Sequence, residues 1–417
     1  DLVLNHTSRE HIWFKKALQK DPKYYNYYIW RDEPNEIQSM FGGSAWSYSE
    51  EVGKYYFRLF DKTQPDLNWE NEEVRQELYK MINYWIDKGV EGFRLDVIDL
   101  IGKEPDKMIT GKGPKFYEYL KELNNNTFKD KLLTVGECWC STIEESYKMC
   151  NKDGLTQAFH FTHQCLTHTN GDKWNQSKID LHKLCDSLNK WENEYKGIEA
   201  IVMNNHDLPR MVSLWLNDKE YRKESAKLLI TLFGLLKGNL YIYQGEEIGM
   251  TNAYFESIDK YKDVETLNKY NELKQKHFSE NEIMNIIKLV SRDNARTPMQ
   301  WDATENAGFS SSKPWIEANK NYKEVNVLKD INSKDSIFNY YKNIIKYRKE
   351  NYNIIESNAI FKTEGKILTM EKNNFILFAN FTNENINIKS ENKVLFKNYE
   401  DIQKDILRPF EVIVFEK

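Results

Sequence analysis

Four polar clusters stand where short apolar runs end, and their residue types are those of acid–base and nucleophilic chemistry. The run that begins at Val90 ends Arg94-Leu95-Asp96. Side chains alternate along a strand, so Arg94 and Asp96 share a face. A guanidinium beside a carboxylate favours the ionised form, which is the form a carboxylate nucleophile needs. Taken alone, the stretch reads more readily as a structural Arg–Asp pair, which is common in any barrel. The next run ends Val135-Gly136-Glu137-Cys138-Trp139. A glutamate there, followed by tryptophan, is expected against an apolar wall, where desolvation keeps it protonated as a general acid requires. A third run ends Met203-Asn204-Asn205-His206-Asp207, a carboxylate beside an imidazole. At the front of the chain, Asp1 and Asn5-His6 make a fourth polar strand end. One such His–Asp neighbour is usually structural; four acidic or histidine-bearing strand ends in one chain point to chemistry.

Other chemistries fit less well. His6, His206 and Glu137 fall on different strands, and no His-x-x-x-His spacing occurs, so no metal site is expected. His160, His163 and His168, near Cys165, match no zinc signature and are expected to be solvated loop residues. No serine sits on a nucleophile elbow, which removes the Ser-His-Asp reading.

The elements that must position these residues follow from periodicity. Val74, Leu78, Met81, Ile82 and Trp85 recur at helical spacing between Asn71 and Asp87, and Gly89 ends that helix. Strands are predicted at 90–95, 132–135, 158–161, 200–203 and 240–243. Helices are predicted near 114–124, 141–150, 179–194, 220–236 and 336–350. Short apolar strands alternating with amphipathic helices make parallel β/α units, a TIM barrel or a doubly wound sheet. No glycine-rich phosphate loop follows a strand, which weakens the second option. Residues 8–69 are irregular and aromatic, with turns at Asp32-Glu33-Pro34-Asn35 and Gly42-Gly43, and read as a small inserted domain. Residues 1–7 read as the end of a barrel strand and 70–352 as the rest of the barrel, with a polar helical insertion over 255–290. From 353 to 417 the pattern changes to short strands, a terminal β-domain, with strands at 360–362, 367–371, 375–380, 386–388 and 411–415.

Bulk properties narrow the partners. The 417 residues suffice for one large catalytic domain and a smaller one. A formal net charge of -5 gives no footprint for nucleic acid or an acidic membrane. No apolar stretch is long enough to span a bilayer. The 5 cysteines, Cys138, Cys140, Cys150, Cys165 and Cys185, form no Cys-x-x-Cys pair and read as reduced thiols of a cytoplasmic protein. The chain opens at Asp1 inside an apolar run, and is read as lacking its native start.

In this order the four clusters resemble the signature regions of the α-amylase family of glycoside hydrolases (family 13). Asp1–His6 resembles the first, Gly92–Asp96 the second, Gly136-Glu137 the third and Asn205-His206-Asp207 the fourth. The resemblance implies a (β/α)8 barrel, with its first strands preceding Asp1, an inserted domain after the third strand and a C-terminal antiparallel β-domain. It implies Asp96 as nucleophile, Glu137 as acid/base and Asp207 as transition-state stabiliser. Asp1, His6, Arg94, Val97, Trp139, His206 and Arg292 are implied as substrate contacts. The stretches Gln64–Trp69, Tyr243–Met250 and Ser291–Trp301 are similar to the oligo-1,6-glucosidase subgroup. Three more, Asp96–Lys103, Gly136–Trp139 and His206–Arg210, look most like its glucan 1,6-α-glucosidase (dextran glucosidase) branch. In the family a valine at Val97 goes with α-1,6 bonds, and an aromatic at Trp139 lines the site of the leaving glucose. Trehalose-6-phosphate hydrolases share the valine but carry glutamine where Leu208 stands; an α-1,4-glucosidase is the other alternative. Cys138 and Cys140 replace residues that are usually Thr and Gly, and Val202-Met203 a bulkier pair. Non-catalytic transporter subunits of the same fold lack one or more of the three carboxylates, all of which this chain keeps. The implied protein is a monomer acting on oligosaccharides, with no cofactor held by these residues; the family's calcium loop lies ahead of Asp1.

Overall fold

The structure is a computed structural model that describes residues 1–417 apart from 130, 140, 390–392 and 404, so Cys140 lies outside the described residues. The chain divides into two compact units, Asp1–Phe161 and Thr162–Lys417.

In the first unit, β1 (Leu2–Val3) leads into an irregular stretch. This holds helices α1 (Ile12–Leu18) and α2 (Pro22–Tyr25) and an antiparallel sheet of β2 (Trp30–Arg31), β3 (Trp46–Ser49) and β4 (Lys54–Phe57). Helices and strands then alternate: α3 (Glu72–Asp87), β5 (Gly92–Asp96), α4 (Phe116–Asn126), β6 (Leu133–Glu137), α5 (Ile143–Met149) and β7 (Gln157–Phe159). β1, β5, β6 and β7 form one parallel sheet in that order. Local chemistry explains α3. The Asn71 side chain caps the Glu73 N–H at 2.9 Å, and Glu72 and Glu73 face the positive end of the helix dipole. Val74, Leu78 and Ile82, four apart, are buried. Trp85, three residues after Ile82, is instead 47% exposed and packs against Tyr84. Gly89 leaves the helix at φ +94°, a conformation that costs a side-chain-bearing residue.

The second unit begins with an antiparallel ribbon, β8 (His168–Thr169) and β9 (Asp172–Gln176), followed by α6 (Leu181–Glu194). Then come β10 (Ala200–Val202), α7 (Met211–Trp215), α8 (Arg222–Gly234) and β11 (Asn239–Tyr241), with β10 and β11 paired in parallel. α8 is buried on all sides, as expected of a central helix rather than a surface one. The polar stretch after it is helical: α9 (Val264–Gln275), α10 (Glu280–Val290) and the single turn α11 (Asp293–Arg296). α12 (Val327–Ile331), α13 (Ile337–Glu350) and α14 (Tyr352–Ile355) follow. The chain ends in β12 (Ile360–Glu364), β13 (Ile367–Glu371), β14 (Phe375–Asn380), β15 (Ile386–Asn387), β16 (Val394–Lys397), β17 (Ile406–Leu407) and β18 (Val412–Glu416). Five of these make an antiparallel sheet in the order β12-β13-β14-β18-β16, and β15 pairs with β17.

The structure departs from the sequence expectations in places. β8, β9, β16 and β17 were not predicted: β9 is Asp-Lys-Trp-Asn-Gln, with one apolar residue, and pairing rather than pattern makes it a strand. His160 and His163 are not solvated. Both are buried, and burial pushes the His160 imidazole down to about 3. His163 Nε2 donates to the Val202 carbonyl at 2.8 Å. Trp215 and Phe233 pack against the His163 ring, in a segment without the periodicity that would have flagged it. Among the described residues no helix is long and apolar enough to cross a membrane.

Candidate active site

The first unit gathers one set of charged groups at the ends of β1, β5 and β6. The parallel register pairs Val3 with Asp96 and Leu95 with Gly136, which sets the strand ends side by side. Arg94 stands at the centre. Its Nη1 donates to Asp96 Oδ1 at 2.5 Å and to Asp1 Oδ2 at 3.4 Å, and its Nη2 to Glu137 Oε2 at 2.5 Å. Gly136 permits this: a Cβ there would lie 2.6 Å from Leu155 Cδ1 and 2.9 Å from Ile98 Cγ2. Glu137 is buried, 1% exposed, but its surroundings are not the apolar wall expected from the sequence. Besides Arg94 it receives the Val97 N–H at 3.2 Å and the Trp139 indole N–H at 3.3 Å. The Trp139 ring stacks on Phe161, centroids 4.3 Å apart. Val97 holds φ at +37°, a strained value for a β-branched residue. That turn aims its N–H at Glu137.

His6 sits beside this set. Its Nε2 meets Gln64 Nε2 at 2.9 Å, and its Nδ1 meets Asn5 Nδ2 at 3.3 Å. Burial holds its pKa below the usual histidine value, against the pull of Asp66 and Asp96, so the ring is neutral at pH 7. Behind it Asn5 donates to the buried Asp66, which pairs with the buried Lys103 at 3.2 Å.

The second unit carries the remaining predicted residues. After β10 the Asn205 side chain accepts the Asp207 N–H at 2.8 Å, fixing the turn. Asn204 donates to the buried Glu246, whose carboxyl burial pushes up to about 8. Asp207 Oδ1 receives Arg292 Nη1 at 2.9 Å and Arg296 Nη2 at 2.6 Å, and His206 Nε2 lies 3.2 Å from Oδ2. Burial opposes ionisation of Asp207, but His206, Arg292 and Arg296 together outweigh it and hold the carboxyl below its usual range. Arg292 also reaches Asp263 at 2.5 Å and Glu265 at 3.3 Å.

Sequence reasoning did not single out Gln64, Arg296 or Asp263. Arg296 had a signal: it lies four residues after Arg292, one helical turn, and so on the same face. Asp263 shows only as the N-cap of α9. Cys138 is buried among apolar groups that push its thiol well above the usual value, which leaves it unreactive. Among the described residues no group of three His, Cys, Asp or Glu side chains is placed to hold a metal ion.

A family model for the alpha amylase catalytic domain matches residues 1–357. The chain belongs to the α-amylase family. It is 45% identical over 436 residues to a glucan 1,6-alpha-glucosidase of Streptococcus pneumoniae, a match covering 100% of this chain and 82% of that protein. It is 43% identical over 461 residues to an oligo-1,6-glucosidase of Bacillus cereus, again covering 100% and 82%. Among solved structures, the trehalose-6-phosphate hydrolase of Bacillus licheniformis is similar at a TM-score of 0.91 and 39% identity, over 100% of this chain and 82% of that one. The fold of this α-amylase-family chain is therefore α/β, a (β/α)8 barrel with a C-terminal antiparallel β-domain, to which its parallel β/α segments and its terminal sheet belong.

Proposed function

We propose that this α-amylase-family chain is a retaining, exo-acting α-glucosidase that cleaves α-1,6 bonds at the ends of isomalto-oligosaccharides and dextran. The observation that carries the reading is the single guanidinium of Arg94, which holds Asp96 and Glu137 at 2.5 Å each. A retaining pair needs carboxyl groups close together, roughly 5–5.5 Å apart, and two oxygens on one guanidinium support that spacing. Asp96 attacks the anomeric carbon while Glu137 gives its proton to the departing oxygen. Water, deprotonated by Glu137, then releases glucose from the Asp96 ester with retained configuration. Asp207 strengthens its bonds to sugar hydroxyls as the oxocarbenium ion develops. Asp1, His6, His206 and Arg292 bind hydroxyls, Val97 favours the α-1,6 bond, and Trp139 lines the site of the leaving glucose. The relatives named for 1,6-glucosidase activity support the linkage. Residues 8–69 serve as the inserted domain, and the enzyme is a cytoplasmic monomer.

The competing reading is a trehalose-6-phosphate hydrolase, as the structural neighbour is named. Leu208, buried and apolar, stands where those enzymes carry glutamine. Rates on isomaltotriose, panose, maltose and trehalose-6-phosphate decide between them. Isomaltotriose should be cut fastest, and replacing Val97 by Thr should raise the maltose share about tenfold. Preferential cleavage of maltose or trehalose-6-phosphate by the wild type would overturn the reading.

A further inference from the structure

Asp207 is held by groups that themselves need a fixed place. Arg292 and Arg296 both reach its Oδ1, and both also turn to a second carboxylate, Asp263, at 2.5 and 3.5 Å. Arg296 is fixed again through its Nε, which donates to the His206 carbonyl at 2.8 Å. The other oxygen of Asp263 is spent on helix α9, where it accepts the Thr266 N–H at 3.0 Å and the Thr266 hydroxyl at 2.9 Å. The N–H groups of Lys262 and Asp263 donate to Asp293 Oδ2 at 2.6 and 3.0 Å, which ties the start of α9 to the turn that carries both arginines.

From this geometry we infer that Asp263 and Arg296 are positioning residues, which act on the reaction through Asp207 without touching substrate. The inference rests on the reading of Asp207 as transition-state stabiliser. The physical reason is twofold. A carboxylate that must strengthen its hydroxyl bonds in the transition state gains from being fixed in orientation beforehand, and charge-assisted bonds from two guanidiniums supply that. Long arginine side chains are mobile unless anchored, and Asp263 anchors both of them. It also shares their charge: without it both guanidiniums would turn fully to Asp207 and compete with the sugar for its oxygens. The polar helical insertion is thereby joined to catalysis through one capping residue.

The test compares Arg296→Met, Arg296→Lys and Asp263→Asn in the full-length enzyme, alone and in an Asp207→Asn background, with isomaltose as substrate. Loss of one such anchor should lower kcat roughly tenfold to a hundredfold, with KM nearly unchanged and Arg296→Lys recovering part of the loss. In the Asp207→Asn background the same changes should cost almost nothing, because the group they position is already disabled. A purely structural role would lower the melting temperature and cost the same activity in both backgrounds, which would overturn the inference. So would wild-type kcat in Arg296→Met and Asp263→Asn while Asp207→Asn is impaired; that result leaves the functional reading intact. Wild-type activity in Asp207→Asn itself would remove the role of Asp207, and the inference with it.

Discussion

The two units solve opposite electrostatic problems. In the first, one cation serves three anions: Arg94 meets Asp1, Asp96 and Glu137. In the second, one carboxylate draws on several partners: Asp207 meets two guanidiniums, Arg292 and Arg296, which it shares with Asp263, and the His206 imidazole. An under-neutralised cluster keeps electron-rich oxygens available, which suits a nucleophile and a group that shuttles a proton. An over-neutralised carboxylate stays ionised and fixed, which suits a group that stabilises developing positive charge and transfers nothing. The difference also separates their vulnerabilities. The first cluster depends on one side chain, whereas the second has redundant support.

The largest expected effect lies in the first cluster. Asp96→Asn should lower kcat by ~10^4-fold or more, with cooperative melting retained; near-normal turnover would remove the nucleophile assignment. Next comes the loss of the shared cation. Arg94→Met strands the buried Glu137 beside Asp96 and should cost about 3–5 kcal/mol of stability in denaturant titration. Arg292→Met should cost less, about 1–3 kcal/mol, because Asp207 keeps Arg296 and His206 while Glu265 keeps Lys173 at 2.5 Å. Equal costs would erase the contrast between the clusters. The smallest effect is in acid. The pKa of Asp207 is depressed in the folded state, so the stability it contributes is complete above the usual aspartate pKa. It is lost as pH falls through the lower folded value. The melting-temperature difference between wild type and Asp207→Asn should therefore be flat at neutral and mildly acidic pH and shrink only below about pH 4. A difference that shrinks near pH 6 would mean Asp207 is not held ionised.

Much of this was legible in the sequence, for physical reasons. The β/α alternation showed because parallel strands are buried on both faces and read as apolar runs. Asp96, Glu137 and Asp207 showed because polar residues closing such runs are conspicuous. What stayed hidden depends on pairing. Arg94 reaches Glu137 only through the register that sets Leu95 beside Gly136, which no one-dimensional pattern contains. The strained turn at Val97, which gives Glu137 a backbone donor, is likewise invisible where the sequence shows only a valine. Arg292 and Arg296 meet Asp207 from a turn some 85 residues away in sequence. β9 was missed because it is a strand by partnership and not by composition, and β17 because two residues, Ile406 and Leu407, make too short a run to stand out.

The most direct test of the account is to trap its covalent intermediate. The full-length enzyme, inactivated with a fluorinated α-glucosyl fluoride and digested, should yield one peptide heavier by the fluoroglucosyl group, with the label on Asp96. A label on Glu137 or Asp207, or a product of inverted configuration from the unmodified substrate, would contradict it.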